Sequence, residues 1–285
     1  EVVADLIEGI SLLCKNSFNK QGGIEAIYMK GFIPLMPSLI KDPNEQLRLA
    51  SLKALGVFTS QAAIIPLRMQ NFFKEVKDNG TIQEVCEILK STKPSGPVTA
   101  LHQVAAEALS TLICPVYGDF YSFPWKRGPH DNILEYTEAS AIFEGVRDVA
   151  YTNLKDFDFT SKFIAIYNSE EESKFVEVKC SVLRFFSQLL RTFDVASCQS
   201  RKMQESPLDT FLSNPHLKNL LVTAAFSSKN TIIQGCAIQV LTLILRQILV
   251  DQSLDSNVLV LDVQKVYLLF EKNFKTEPML SILCC

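Results

Sequence analysis

The stretch 31–58 constrains the fold more than any other, because two apolar helical segments flank a short polar turn. The turn reads Asp42-Pro43-Asn44. Proline disfavours helical backbone in the residue before it, and asparagine is a strong helix N-cap. The turn therefore predicts the end of one helix and the start of the next. The apolar positions are Leu35, Leu39 and Ile40 before the turn, and Leu47, Ala50, Leu52, Ala54, Leu55 and Phe58 after it.

The same pattern returns around Asn230, which follows the polar residues Ser-Ser-Lys as Asn44 follows Asp-Pro. Two segments that share a cap, a turn and an apolar register indicate an internal repeat, in which each helix pair needs its neighbours to cover its apolar face. When the two segments are aligned at Asn44 and Asn230 without a gap, the apolar positions coincide. Residues Ile233, Cys236, Val240 and Leu241 align with Leu47, Ala50, Ala54 and Leu55, respectively.

Further copies are predicted between these two. Gly80-Thr81-Ile82 repeats the start Gly31-Phe32-Ile33, and apolar helical positions follow it. The match is looser in the middle of the chain, where Phe185 stands at a position that is small elsewhere. We predict a single domain over 1–285, with units at 1–63, 64–113, 132–193 and 207–250, a cap at 257–283 and a loop insertion at 115–132. Residues 1–15 are predicted to form one amphipathic helix, whose apolar side is Val3, Leu6, Ile7, Ile10 and Leu13.

The stretch 22–61, with its short helix, Gly31 and two longer helices, resembles an armadillo repeat, and the HEAT pattern is similar. The resemblance implies an all-α fold, a right-handed α-solenoid whose third helices line a concave, protein-binding surface. Armadillo proteins that carry nuclear-import signals have Trp-Ala-Leu-x-Asn on this helix, and no copy here matches it. The aligned residues, called the third-helix positions below, are Lys53, Val57, Glu107, Thr111, Arg184, Gln188, Gln239 and Leu243.

The composition of the chain limits the classes of partner that it is expected to bind. The formal net charge is -3, which gives no overall attraction to nucleic acid or to an anionic membrane. The segment 236–250, the most apolar in the chain, is interrupted by polar residues, so no membrane span is predicted. The chain begins with Glu-Val-Val, which led us to expect that it belongs to a longer chain or complex. None of its eight cysteines forms a Cys-x-x-Cys pair, so we predict reduced, buried thiols in a cytoplasmic protein.

No residue pattern predicts catalysis. A nucleophile needs a positioned base, and the three histidines, His102, His130 and His216, read as loop or cap residues. They form no His-x-x-x-His or Cys/His cluster, and no glycine spacing matches a phosphate-binding loop. We therefore predict no catalytic residue, no metal and no cofactor.

The insertion 115–132 stands apart from the repeats because it concentrates aromatic and basic residues, including the single tryptophan. One interpretation is a loop that folds back on its own solenoid, as long ordered loops do. The other is an anchor in which Phe123, Trp125 and Arg127 enter a partner, since such residues dominate binding hot spots. Its acidic residues make nucleic-acid stacking the least favoured interpretation.

The predicted function is a noncatalytic scaffold that binds a partner protein, presented as a helix or an extended peptide, along the concave surface. Nucleic acid and membrane are not predicted partners. Two alternatives remain open: a helical-repeat regulatory tail of a larger enzyme, as in Fused-type kinases, and a structural part of a ciliary or cytoskeletal assembly. The predicted location is the cytoplasm, with a possible link to the cytoskeleton or cilium.

Overall fold

The structure is a computed structural model that describes residues 2–16, 31–62, 70–91, 98–113, 133–169, 176–192 and 206–250. These residues form α-helices, one 3₁₀ turn and short connections, and contain no strand. They belong to two compact units, unit 1 (Glu1–Phe159) and unit 2 (Thr160–Cys285).

Unit 1 is built from two layers of helices. The helices are α1 (Val2–Asn16), α2 (Met36–Lys41, after the 3₁₀ turn Ile33–Leu35), α3 (Glu45–Ala62), α4 (Gln70–Asp78), α5 (Thr81–Ser91), α6 (Ala100–Ile113) and α7 (Ile133–Lys155). Helices α1, α3 and α6 pack side by side in one layer, and α2 packs against α5 in the other. Within each repeat the two layers are joined by α2 against α3 and by α5 against α6.

Unit 2 repeats part of this arrangement. Its helices are α8 (Phe159–Asn168), α9 (Val176–Thr192), α10 (Pro207–Ser213), α11 (Pro215–Ser227) and α12 (Thr231–Val250). Helices α9 and α12 pack together as α3 and α6 do in unit 1, and α11 packs against α12 as α2 packs against α3. The prediction of an all-α solenoid of armadillo-like repeats is confirmed.

The two asparagine turns have the same geometry. Asn44 Oδ1 accepts hydrogen bonds from Gln46 N–H (2.9 Å) and Leu47 N–H (3.2 Å) at the start of α3. Asn230 Oδ1 accepts from Ile232 N–H (2.9 Å) and Ile233 N–H (3.3 Å) at the start of α12. Each cap therefore satisfies backbone donors that the first helical turn leaves without an intrahelical partner.

We expect Asn44→Ala and Asn230→Ala each to lower the free energy of unfolding by about 1 kcal/mol, because each removes the acceptor at a helix start. The matched controls, Asn44→Asp and Asn230→Asp, keep an oxygen in the same place and should retain most of the stability. Urea unfolding of the four variants measures the effect. Equal losses in the alanine and aspartate variants would show that the caps contribute nothing.

The predicted correspondence of Gly31 and Gly80 is also confirmed. Gly31 has φ 71° and Gly80 has φ 85°, in the left-handed region that side chains with a Cβ disfavour. Asn79 donates from Nδ2 to the backbone oxygen of Ile33 (3.1 Å) and accepts from Thr81 N–H (3.0 Å). The second glycine turn is thereby bonded directly to the start of the first repeat.

Two glycine-to-alanine variants should have opposite effects. Gly56 lies inside α3, and a methyl group there would meet only Thr111 Oγ1, at 3.9 Å. Gly56→Ala should therefore raise the free energy of unfolding by roughly 0.5–1 kcal/mol, the gain in helix propensity. Gly80→Ala should lower it by about 1–2 kcal/mol because of its backbone conformation. Urea unfolding measures both, and a destabilised Gly56→Ala would contradict the packing described between α3 and α6.

The apolar faces of the repeats lie where the sequence predicts, with two corrections. In the first repeat the buried residues are Ile33, Met36 and Ile40, whereas Leu35 is 53% exposed. Of the predicted stripe, Ile40 is buried and Leu39 is half-buried, but the prediction was wrong at Leu35 because residues 33–35 form a 3₁₀ turn, which changes the direction of the side chains. In α1 the buried side is Ala4, Ile7, Ser11 and Cys14, while Val3, Leu6 and Leu13, predicted to share the apolar side, are exposed.

The predicted domain limits stay a prediction. The boundary between the two units lies inside the predicted repeat 132–193, between α7 and the remainder of α8. The predicted helix at 22–30, the loop insertion 115–132 and the cap 257–283 lie outside the described residues. The short helix α10 was not predicted; Ser206 is its N-cap and forms a capping box with Asp209.

One described helix is long and apolar enough to cross a membrane by length and composition. It is the stretch Thr231–Ile248 in α12, and 67% of it is buried inside the protein. Ile233, Val240 and Leu241 are at most 4% exposed, so its apolar character is used in the packing of unit 2. Such burial is what the core helix of a repeat requires.

Candidate protein-binding surface

In unit 1, three of the four third-helix positions reach the surface. Lys53 on α3 is exposed, and its Nζ lies 3.3 Å from Oε1 of Glu8 on α1. Val57, one turn further along α3, and Glu107 on α6 are half-buried. We call Lys53, Val57 and Glu107 the α3–α6 surface. It presents one basic, one apolar and one acidic side chain on two adjacent helices.

Thr111, the fourth position in unit 1, lies inside the protein. Its side chain is 7% exposed, and its hydroxyl donates to the backbone oxygen of Glu107 at 2.9 Å. The hydroxyl also faces Gly56 of α3, where the absence of a side chain lets the two helices approach. Thr111 therefore contributes to packing between α3 and α6, and its predicted role in binding stays a prediction.

In unit 2 two of the four third-helix positions are buried and two are half-buried. Gln188 on α9 and Gln239 on α12 are each 6% exposed, whereas Arg184 and Leu243 are half-buried. Gln188 Oε1 has no hydrogen-bond partner among the described residues. Arg184 is therefore the charged third-helix position that unit 2 presents at least partly to solvent. The insertion residues Phe123, Trp125 and Arg127 lie outside the described part of the chain.

A cavity of 410 Å³ opens between α8, α9 and α11 of unit 2. Lys179, at its wall, is 6% exposed; its Nζ donates to the backbone oxygen of Tyr167 and lies 4.5 Å from the centre of the Tyr167 ring. On α11 the wall is polar along one side, where residues three or four positions apart share a face: His216, Asn219, Thr223 and Ser227. This polar stripe was not predicted, although its helical spacing is visible in the sequence.

Two cysteines of unit 2 form a cluster with Arg184. Cys180 on α9 and Cys236 on α12 are hydrogen-bonded through their thiols, and Arg184 hydrogen-bonds to Cys236. The bond from Cys180 lowers the pKa of Cys236 to about 7; burial opposes this, and the charge and hydrogen bond of Arg184 reinforce it. The same thiol contact and burial raise the pKa of Cys180, which keeps its proton.

The other two described cysteines have a different environment. Cys14 and Cys86 are buried and free, and burial raises the pKa of both, that of Cys86 to about 12. The prediction that cysteines act as small buried hydrophobes therefore describes Cys14 and Cys86 well. It missed the Cys180–Cys236 contact, because the two residues lie on different helices and only the packing of α9 on α12 brings them together.

The described histidines have local structural partners. His102 Nδ1 accepts from Thr99 N–H at 3.1 Å, and its Nε2 lies 3.2 Å from Ser91 Oγ. His216 lies in the first turn of α11, where its backbone N–H donates to the cap Asn214. In the described part of the chain, no group of three or more His, Cys, Asp or Glu could hold a metal ion. The absence of a cofactor stays a prediction.

The comparisons with known proteins concern the fold. No protein-family model matches the chain, and no curated protein sequence matches it. An engineered protein of the Northeast Structural Genomics Consortium has a TM-score of 0.55 and 13% identity, with 98% of this chain and 93% of that chain covered. At this identity the likeness shows a common fold and nothing about function.

Two further solved structures are less similar. A second engineered protein of the same consortium has a TM-score of 0.46 and 14% identity, over 98% of this chain and 66% of that chain. A designed armadillo repeat protein has a TM-score of 0.39 and 10% identity, over 85% of this chain and 92% of that chain. The armadillo-like assignment therefore depends on the repeated caps, glycine turns and helix layers of this chain itself.

Proposed function

We propose that the chain is a noncatalytic scaffold that binds a partner protein through the α3–α6 surface. The observation that carries the proposal is the presence of Lys53 and Glu107 at equivalent positions of adjacent third helices, with both side chains reaching solvent. Solenoids of this kind expose a continuous row of helices, and binding along such a row needs no reaction centre.

The chemistry of the surface favours a partner segment of mixed charge. Lys53 offers an ammonium group and Glu107 a carboxylate. Val57, one turn after Lys53 on α3, offers a small apolar side chain. An extended peptide or a helix with both acidic and basic side chains would complement these groups. A net charge of -3 gives nucleic acid or an anionic membrane no general advantage.

The proposal includes a cytoplasmic location. Cys14, Cys86, Cys180 and Cys236 are free thiols, as is usual in reducing compartments. The regulatory-tail and ciliary or cytoskeletal roles have no separate observation in the described residues that favours them, so the scaffold role is the one we propose.

A random peptide library displayed on phage tests the proposal with a defined probe. Peptides selected on the whole chain are synthesised, and their dissociation constants are measured by fluorescence anisotropy. Lys53→Glu combined with Glu107→Lys reverses both charges of the surface. We expect this variant to bind the selected peptides at least about tenfold more weakly, the loss of one to two desolvated charge contacts.

The control exchanges the exposed ion pair of α5, Lys90 with Glu87, whose charged atoms are 3.6 Å apart. Like the test variant, Glu87→Lys combined with Lys90→Glu reverses one acidic and one basic side chain and keeps the net charge. Because these residues lie on the other layer of unit 1, the affinity for the selected peptides should be unchanged. A library without binders, or binders equally affected by both double variants, would count against the α3–α6 surface.

A further inference from the structure

The cavity between α8, α9 and α11 has the size and the lining of a site for a small ligand. Its volume of 410 Å³ falls in the range of about 300–1,000 Å³ that is usual for such sites. Part of its lining is apolar: Ile164 of α8 is half-buried, and Leu220 and Ala224 of α11 are buried. These side chains offer contacts to the carbon skeleton of a ligand.

Lys179 of α9 adds a buried charge to this lining, since it is only 6% exposed. Its Nζ donates to the backbone oxygen of Tyr167, in the last turn of α8, and lies 4.5 Å from the centre of the Tyr167 ring. The carbonyls of a last helical turn have no intrahelical partner, so this bond also caps α8. It holds the ammonium group in place, and a ligand would not have to order a flexible lysine side chain.

The polar part of the lining consists of hydrogen-bonding side chains. Asn219 and Thr223 lie one turn apart on the exposed side of α11 and provide amide N–H and hydroxyl donors. No Asp or Glu is among the described residues that line the cavity. A buried ammonium group attracts an anion more strongly than an exposed one does, because the local dielectric is low. The lining therefore favours a ligand that carries a negative charge and hydrogen-bond acceptors.

The number of cationic side chains favours a carboxylate over a phosphate. Lys179 is the one lysine or arginine among the described lining residues. Phosphate sites typically add arginine side chains or the backbone N–H groups of a helix start. At the start of α11, however, the N–H groups of His216 and Leu217 already donate to Asn214 Oδ1. One ammonium group matches the single charge of a carboxylate.

We propose that this cavity binds a carboxylate group, with Lys179 as its counter-charge and Asn219 and Thr223 as hydrogen-bond donors. A free small carboxylic acid and the acidic side chain of a bound peptide offer the same chemistry, and the experiment distinguishes these two sources. The described lining shares no residue with the α3–α6 surface, so the proposal does not depend on the proposed function.

Methyl NMR of the whole wild-type chain tests the proposal without any substitution. The first pair of probes is benzoate and benzamide, which are similar in shape and differ in charge. The methyl signals of Ile164, Leu220 and Ala224 report binding in the cavity. We expect benzoate to shift these signals and to bind at least about tenfold more tightly than benzamide, because hydrogen bonds to a charged group are stronger than those between neutral groups.

A second pair of probes represents the peptide source. N-acetylglutamate N-methylamide carries the glutamate side chain between two peptide bonds, and the corresponding glutamine compound is its neutral partner. The source of the carboxylate is assigned to the acid that binds more tightly, benzoate for a small molecule and the glutamate compound for a peptide. If neither acid shifted the three methyl signals up to its solubility limit, or if each acid bound no more tightly than its amide, the proposal would be overturned.

Variants test the role of the charge. Lys179→Gln should reduce the ratio of acid to amide affinity to about one; because it also removes a bond to α8, circular dichroism checks its folding. Asn219→Asp, at an exposed position, adds a negative charge to the lining and should weaken binding of the acid several-fold while sparing the amide.

The matched control is Lys229→Gln, which changes the net charge by the same amount at an exposed position outside the described lining. It should keep the wild-type ratio of affinities. A wild-type ratio in folded Lys179→Gln or in Asn219→Asp, or an equal decrease in Lys229→Gln, would contradict a carboxylate site at Lys179.

Discussion

Phe185→Ala should lower the free energy of unfolding by about 3–5 kcal/mol, the cost of deleting a large aromatic side chain from a close-packed core. Phe185 on α9 is fully buried and stacks on Phe163 of α8, with ring centres 4.1 Å apart and planes within 4°. Phe186 and Phe211 complete an aromatic cluster, with Phe186 5.8 Å from Phe185 and 5.1 Å from Phe211. Guanidinium chloride unfolding monitored by circular dichroism measures the loss.

The control for this variant is Glu177→Ala, which removes an exposed side chain from the same helix and should change stability by less than about 0.5 kcal/mol. If Phe185→Ala lowered the free energy of unfolding no more than Glu177→Ala does, the aromatic cluster could not be the core of unit 2.

Leu55→Ala and Leu241→Ala should each lower the free energy of unfolding by about 2–5 kcal/mol. The two leucines occupy the same position after the Asn44 and Asn230 caps, and they are 0% and 4% exposed. Each fills the space between its own third helix and its neighbours, so truncation leaves a cavity in either unit. Urea unfolding of both variants measures whether the two copies use this position in the same way.

Leu13→Ala is the matched control, because Leu13 of α1 is 72% exposed. Leu13→Ala should change the free energy of unfolding by no more than about 0.5 kcal/mol. If Leu55→Ala strongly lowered the free energy of unfolding and Leu241→Ala did not, the two segments would share a sequence pattern but not a packing arrangement.

The sequence was informative wherever local chemistry decides the structure. Asn44 and Asn230 predict helix starts because a short side-chain oxygen reaches the backbone donors of the next residues, whatever lies around them. Gly80-Thr81-Ile82 repeats Gly31-Phe32-Ile33, and both glycines adopt the left-handed backbone conformation that a Cβ disfavours. Counted from each cap, helical periodicity determines which residues share a face of the helix. It therefore predicts that Leu55 and Leu241 lie on the buried face.

Tertiary packing decided the rest. The apolar side of α1 was assigned from periodicity, but α3 covers only the face that includes Ile7 and Cys14 and leaves Leu6 and Leu13 exposed. Phe185 looked like a departure from the repeat because a small residue is expected there. The structure shows that its ring stacks on that of Phe163 of α8, so the large side chain belongs to an aromatic core.

The candidate surface was predictable only in part. Alignment to the armadillo pattern placed Lys53 and Glu107 on the third helices, and the structure brings both to solvent. It buries Thr111 and Gln188, because the burial of a position depends on the neighbouring helix, which the alignment does not describe. The Cys180–Cys236 contact was not predicted, because the repeat pattern predicts that neighbouring third helices pack together but not which of their side chains meet.

Carbene footprinting of the whole chain, with and without a library-selected peptide, tests most directly whether the row of third helices is the binding surface. The reagent labels exposed side chains, and mass spectrometry assigns the labels to residues. Bound peptide should reduce labelling at Lys53, Val57 and Glu107 and leave Glu87 and Lys90 of α5 unchanged. Protection confined to Glu87 and Lys90, with the α3–α6 surface labelled as before, would contradict binding by the third helices.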